Sequence, residues 1–79
     1  MTSAEFVDAI KAMGFEADED GETFTKGTHP LYYVNVDESG AWSSYNYGGD
    51  TGPIELTDPE RAPFDHALKV LKSTLESGW

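Results

Sequence analysis

Fifteen acidic and five basic side chains in 79 residues give a formal net charge of −10, and there is no cysteine. This composition excludes a disulfide scaffold and a cysteine-ligated zinc site. It also disfavours direct contact with DNA, RNA or an anionic membrane, whose phosphates the chain repels. A chain of this length is expected to form one domain over residues 1–79, with a core drawn from four Phe, four Tyr, two Trp and a few aliphatic residues.

Thr2-Ser3-Ala4-Glu5 has the capping-box pattern, in which a threonine accepts from the helix backbone and a glutamate reaches back. Phe6, Ala9, Ile10 and Met13 follow at helical spacing, and Gly14 suits a helix end, so the spacing predicts a helix over 3–13. Asp20-Gly21 between alternating segments predicts a two-residue type I′ hairpin that sets Ala17 opposite Phe24 and Asp18 opposite Thr23. Gly27-Thr28-His29-Pro30 interrupts the ladder, because proline donates no amide hydrogen.

Leu31 to Asp37 is the clearest strand, with Tyr32, Val34 and Val36 on one face. Ala41 to Tyr47 returns beside it. A three-residue loop, Glu38-Ser39-Gly40, pairs Asp37 with Ala41 and brings Trp42 beside the valines; a two-residue loop brings Tyr45 and Tyr47 there instead. The first register is preferred because it gives Trp42 to the core. Residues 48–57 read as an irregular loop. Asp58-Pro59-Glu60 has the form of a helix start, and Pro63 restarts the helix, giving a main body over 63–77. Phe64, Ala67, Leu68, Leu71 and Leu75 form its apolar stripe, and Gly78 ends it.

The expected fold is α+β, a four-stranded antiparallel meander with the N- and C-terminal helices packed on one face, in the order αββββα. The other face of the sheet is then open to solvent.

The charge is unevenly distributed along this order. Residues 12–60 hold eleven acidic side chains and one basic, Lys26, while Lys11, Arg61, Lys69 and Lys72 lie on or beside the helices. In the preferred register Glu16, Asp18 and Asp37 point away from the helices with Tyr33, Tyr45 and Tyr47, and Glu19, Asp20, Glu22 and Glu38 gather at the hairpin ends. Carboxylates at alternate strand positions are about 6.6–6.8 Å apart, a spacing suited to imitating a row of phosphates. Tyrosine rings between them offer stacking surfaces to arginine. These ten residues are the candidate partner-binding surface. Reversing the charge of Glu16, Asp18 and Asp37 is expected to weaken binding and leave the fold intact. The competing reading is a solvated acidic face that serves only solubility.

Other constellations carry less. Glu16-x-Asp18-x-Asp20-Gly21-Glu22 opens like a calcium loop, but the twelfth position is Gly27 where a bidentate glutamate is required. His29 and His66 lack metal-ligand spacing, and Ser43-Ser44 lacks a nucleophile-elbow setting. Gly48-Gly49-Asp50-Thr51-Gly52 has no lysine and no phosphate-loop spacing. A protein with no catalytic site, metal or cofactor is expected. No apolar run is long enough to span a bilayer, and the first residues lack the basic start and apolar stretch of a signal peptide, so a cytoplasmic location is expected.

In size, charge and α/β organisation the whole chain resembles the small acidic anti-CRISPR proteins of bacteriophages and other mobile elements, those acting on type I-C systems among them. The resemblance rests on Glu16-Ala17-Asp18-Glu19-Asp20-Gly21-Glu22 and Val36-Asp37-Glu38, with the tyrosine-bearing strands between and after them. It implies an inhibitor in a bacterial host cell that binds a Cas subunit of a type I surveillance complex and occupies the basic surface that recognises target DNA; the sequence leaves the oligomeric state open, with a monomer favoured. An acidic antitoxin or immunity-type module that neutralises a basic toxin or nuclease is the alternative, since it needs the same kind of face.

Overall fold

The computed structural model describes residues 1–46, 54–57 and 61–77. Helix α1 (Ser3–Ala12) begins with the predicted capping box: the Glu5 amide donates to Thr2 Oγ1 at 3.1 Å, and the Thr2 amide donates to Glu5 Oε1 at 2.9 Å. Two of the amides that a helix start leaves unpaired are thereby satisfied. Phe6 and Ile10 are its fully buried positions, and Lys11 stands in the last turn, where a cation complements the helix dipole.

Strands β1 (Glu16–Ala17) and β2 (Thr23–Lys26) pair with Ala17 opposite Phe24, the predicted register. Their connection differs from the predicted type I′ turn. Only Gly21 has positive φ, and the Asp20 carboxylate organises the segment instead. Its Oδ1 accepts from the amides of Glu22 and Thr23 at 2.9 and 2.8 Å, and its Oδ2 accepts from the Thr23 hydroxyl at 2.7 Å. A side chain that can hold the backbone locally competes with the two-residue turn, and here it wins.

Strand β3 (Leu31–Asp37) matches its prediction, and β4 (Gly40–Asn46) pairs with it along its whole length. The register is the two-residue alternative: Asp37 faces Gly40, Val36 faces Ala41, Val34 faces Ser43 and Tyr32 faces Tyr45. Two observations account for the difference. The Asp37 carboxylate accepts from the Ser39 amide at 2.7 Å, the Ser39 hydroxyl at 2.6 Å and the Gly40 amide at 3.2 Å, so a Glu38-Ser39 turn closes on it. Gly40 serves as a strand residue, at φ +153°, because a Cβ there would overlap the carbonyl oxygen of Ala62. One step of register exchanges the faces of a strand. Tyr45 is therefore buried against Tyr32, ring centroids 5.8 Å apart, and Trp42 lies on the face away from the core, half-buried.

A fifth strand, β5 (Ile54–Glu55), pairs antiparallel with β4, so the sheet has, among the described residues, five strands in the order β1-β2-β3-β4-β5 rather than the predicted four. The ladder extends past it: the Leu56 amide donates to the Ser43 carbonyl at 2.8 Å, and the Ser43 amide donates to Thr57 Oγ1 at 3.1 Å. Ala62 bridges to Ala41 through a reciprocal pair of 2.9 Å backbone hydrogen bonds, and helix α2 (Phe64–Glu76) starts directly after, with Pro63 as its N-cap. The expected helix start at Asp58-Pro59-Glu60 and the helix stop at Gly78 lie outside the described residues.

Both helices cover the same face of the sheet. Phe6 and Ile10 of α1 and Ala67 and Leu71 of α2 share one buried cluster with Phe24, Tyr32, Val34, Val36, Ala41 and Tyr45. The small residues Ala41 and Ser43, both at 0% exposure, admit α2 close to β4. Ser43 presents a hydroxyl to this apolar layer with no hydrogen-bond partner among the described residues. A buried unpaired hydroxyl is a cost rather than a gain. Ser43→Ala is therefore expected to leave stability unchanged or raise it by up to about 1 kcal/mol, read from the urea midpoint.

Candidate functional site

The antiparallel pairing brings the two acidic turns to the same end of the sheet. Val36 donates its amide to the Glu22 carbonyl at 2.8 Å, which places residues 18–22 beside residues 37–39. The first turns of α1 reach the same end, where Ala4, Val7 and Asp8 form a groove of about 330 Å³ with Val36, Asp37 and Glu38. Carboxylates from α1, the β1–β2 connection and the β3–β4 turn thus converge. The helical member, Asp8, carries no signal in the sequence, because its place depends on how α1 docks.

The predicted residues at this end divide into two groups. Asp20 and Asp37 are used by the fold: Asp20 holds the β1–β2 connection, and Asp37 holds the β3–β4 turn and forms an ion pair with Arg61 at 3.1 Å. Arg61 also donates to Asn35 Oδ1 at 3.0 Å, which ties the segment before α2 to β3. Reversal of Asp37 would therefore disrupt the turn, contrary to the expectation that this position tests binding alone. Asp18 accepts from the Glu19 amide at 2.7 Å through one oxygen. Glu19, Glu22 and Glu38 are exposed, and their carboxylates make no hydrogen bond or ion pair with the described residues.

The pairing of these groups appears in their acidity. Hydrogen bonds from the Thr23 hydroxyl and the Glu22 and Thr23 amides hold the Asp20 carboxyl below its ordinary value. The Ser39 hydroxyl and amide, then Arg61 and the Gly40 amide, do the same for Asp37, and the Thr2 backbone and side chain do so for Glu5. A depressed folded-state pKa means that the unfolded chain binds protons more readily. The stabilisation from these three groups is present above the ordinary carboxylate range and is lost as pH falls through their lowered values. Thermal melts from neutral pH to about pH 2 are expected to show a melting temperature that falls steadily in acid, with a shallower fall for Asp37→Asn.

Lys26 and Lys72 lie elsewhere. Lys26 reaches over Gly14 at the end of α1, and it lines a cleft with Met13, Lys72 and Leu75. Among the described residues, Arg61 is the basic side chain drawn to the acidic turns, and Asp37 engages it.

On the open sheet face the cross-strand row Glu16, Thr25, Tyr33, Ser44, Glu55 runs through all five strands. Glu16 and Tyr33 take the predicted outward positions, and Tyr33 is 37% exposed. Tyr45, expected to point outward, belongs to the core at 6% exposure, because the register of β4 is shifted by one residue. Tyr47 lies outside the described residues. Sequence reasoning missed Glu55 and Trp42 on this face. The signal for Glu55 is the alternation of Ile54-Glu55-Leu56-Thr57, which suits a short strand; Trp42 belongs to the alternative register.

Among the described residues, no group of three or more His, Asp or Glu side chains is placed to hold a metal ion. None of their helices is long and apolar enough to cross a membrane. No protein-family model matches the chain, and neither a curated protein nor a solved structure matches it.

Proposed function

We propose that the protein is a non-catalytic inhibitor that occupies the nucleic-acid-binding surface of a basic protein, with the acidic end of its sheet in place of phosphate. The observation that carries this reading is the convergence of Asp18, Glu19, Glu22 and Glu38 on one end of the sheet, with the nearby Arg61 already engaged by Asp37. Side chains that normally neutralise phosphates meet a compact set of carboxylates there. The interaction is expected to weaken as salt screens it. The resemblance to acidic anti-CRISPR proteins supports a Cas subunit of a type I surveillance complex as the partner, and a bacterial cytoplasm as the setting.

The acidic turns suit this role better than the carboxylates and tyrosines expected on the open sheet face. That face loses Tyr45 to the core, and the Asp37 carboxylate is committed to the fold. Glu19, Glu22 and Glu38 keep their charge available and stand on short connections anchored by Asp20 and Asp37. Holding the carboxylates in place before contact reduces the ordering cost of binding.

The test is a pull-down of purified type I surveillance complexes with the native chain and with the Glu19→Lys, Glu22→Lys, Glu38→Lys variant, alongside target-DNA binding. The native chain is expected to be retained and to block DNA. The variant should melt like the native chain and bind about tenfold or more weakly. Equal retention and inhibition by the variant would show that the acidic end is not the contact. In a parallel pull-down of a purified basic nuclease, retention of the nuclease and not of the complex would favour the neutralising module over the anti-CRISPR reading.

A further inference from the structure

The open sheet face carries a second feature, separate from the acidic end. Tyr33, Trp42, Ser44 and Asn46 line a cleft of about 160 Å³. The register explains it: Ser44 pairs directly with Tyr33, Trp42 is the diagonal neighbour, and the small, buried Ser44 leaves room between the two aromatic side chains.

The row of residues across the sheet sets the charge around this cleft. Tyr33 lies two strands from Glu16 on one side and two strands from Glu55 on the other, roughly 9.4–9.8 Å at the backbone in each direction. Both glutamates are exposed, and neither is paired with a described residue. Arg61 is held at the far end of the face by Asp37 and Asn35. An aromatic ring presents a negative face, so a ring flanked by two carboxylates selects a cation. A planar guanidinium stacks on such a ring and still directs its edge N–H groups to carboxylates, which an ammonium cannot do in the same geometry.

We propose that this cleft receives an arginine side chain of the basic partner, with its guanidinium stacked on Tyr33, an edge directed at Glu55, and Glu16 adding negative charge on the other side of the ring. The assignment rests on the reading of the partner as a basic protein, and it supplies the specific anchor that a field of carboxylates alone lacks.

The experiment is an NMR titration of the full chain with hexa-arginine and hexa-lysine peptides. Hexa-arginine is expected to shift the amides of Tyr33 and Ser44 and the Trp42 indole resonance, and to bind more tightly than hexa-lysine. Tyr33→Leu should weaken hexa-arginine binding about threefold to tenfold and hexa-lysine binding clearly less, leaving the melting temperature unchanged. Glu16→Gln combined with Glu55→Gln should also reduce the preference for arginine. An unchanged arginine affinity in Tyr33→Leu would overturn the assignment. So would shifts from both peptides confined to residues 18–22 and 37–39, an outcome that leaves the acidic end intact as a binding surface. A chain that binds neither peptide would remove the shared premise along with the cleft.

Discussion

Phe6→Ala is expected to lower the free energy of unfolding by about 3–5 kcal/mol. Phe6 is at 0% exposure, and its ring centroid lies 5.2 Å from that of Phe64 at a tilt of 35°. It belongs to the cluster in which α1, α2 and the inner sheet face meet. Truncation removes the apolar area of the ring and leaves a cavity bounded by three elements that cannot all collapse into it. A domain of this size has a total stability of roughly 4–12 kcal/mol, so the loss is a large share of the whole. Urea unfolding followed by tryptophan fluorescence measures it. A loss below about 1 kcal/mol would mean that α1 is not docked on the sheet through this residue.

The second large effect concerns a backbone contact. Gly40→Ala is expected to destabilise by about 3–5 kcal/mol, from crowding together with an unfavourable backbone conformation. The overlap is with a carbonyl oxygen of Ala62, and Ala62 is bonded to Ala41 on both its amide and its carbonyl. Neither strand nor bridge can move aside without breaking the link that positions the start of α2. Gly21→Ala provides the comparison: φ is +71° there, but no atom lies within 4 Å of the added methyl group. Its cost should be about 1–2 kcal/mol, from the backbone conformation alone. Equal effects at the two glycines would show that the close approach at Gly40 contributes nothing.

Local features were the readable part of this fold. The capping box at Thr2 and Glu5, the apolar stripes of both helices and the pairing of Ala17 with Phe24 follow from spacing along a single segment or one hairpin. The acidic turns were legible as well, since Glu19, Asp20, Glu22 and Glu38 fall in connections between strands. Their division into structural and available carboxylates was not. Asp20 and Glu19 are neighbours of the same charge, and only the backbone path decides that Asp20 accepts three hydrogen bonds and Glu19 none.

The misplaced faces of β4 share one origin. From sequence Gly40 has the form of a turn residue, because glycine commonly ends a hairpin loop, whereas the structure requires it inside β4 for contact with Ala62, twenty-two positions further along the chain. That shift moved every side chain of β4 to the other face. Trp42 in the core was the reasonable expectation from side-chain size alone, yet the layer beneath α2 is filled from the helix side by Leu71 and closed by Ala67, with Ala41 and Ser43 on the strand. Close packing at a helix–sheet contact favours small residues there, and hydropathy along β4 does not reveal how near the helix comes.

By itself, then, the amino-acid sequence determined the class of fold, the extent of both helices to within a residue or two, and a charge surplus concentrated in the strand half. These depend on short-range periodicity and on counting. Only the tertiary structure decided the face presented by each residue of β4, the gathering of Asp8 with the two turns, and the row that sets Tyr33 between Glu16 and Glu55. The first and last depend on strand register, which the Asp37 turn and the distant contact of Gly40 with Ala62 settle together, and the gathering of Asp8 depends on how α1 docks.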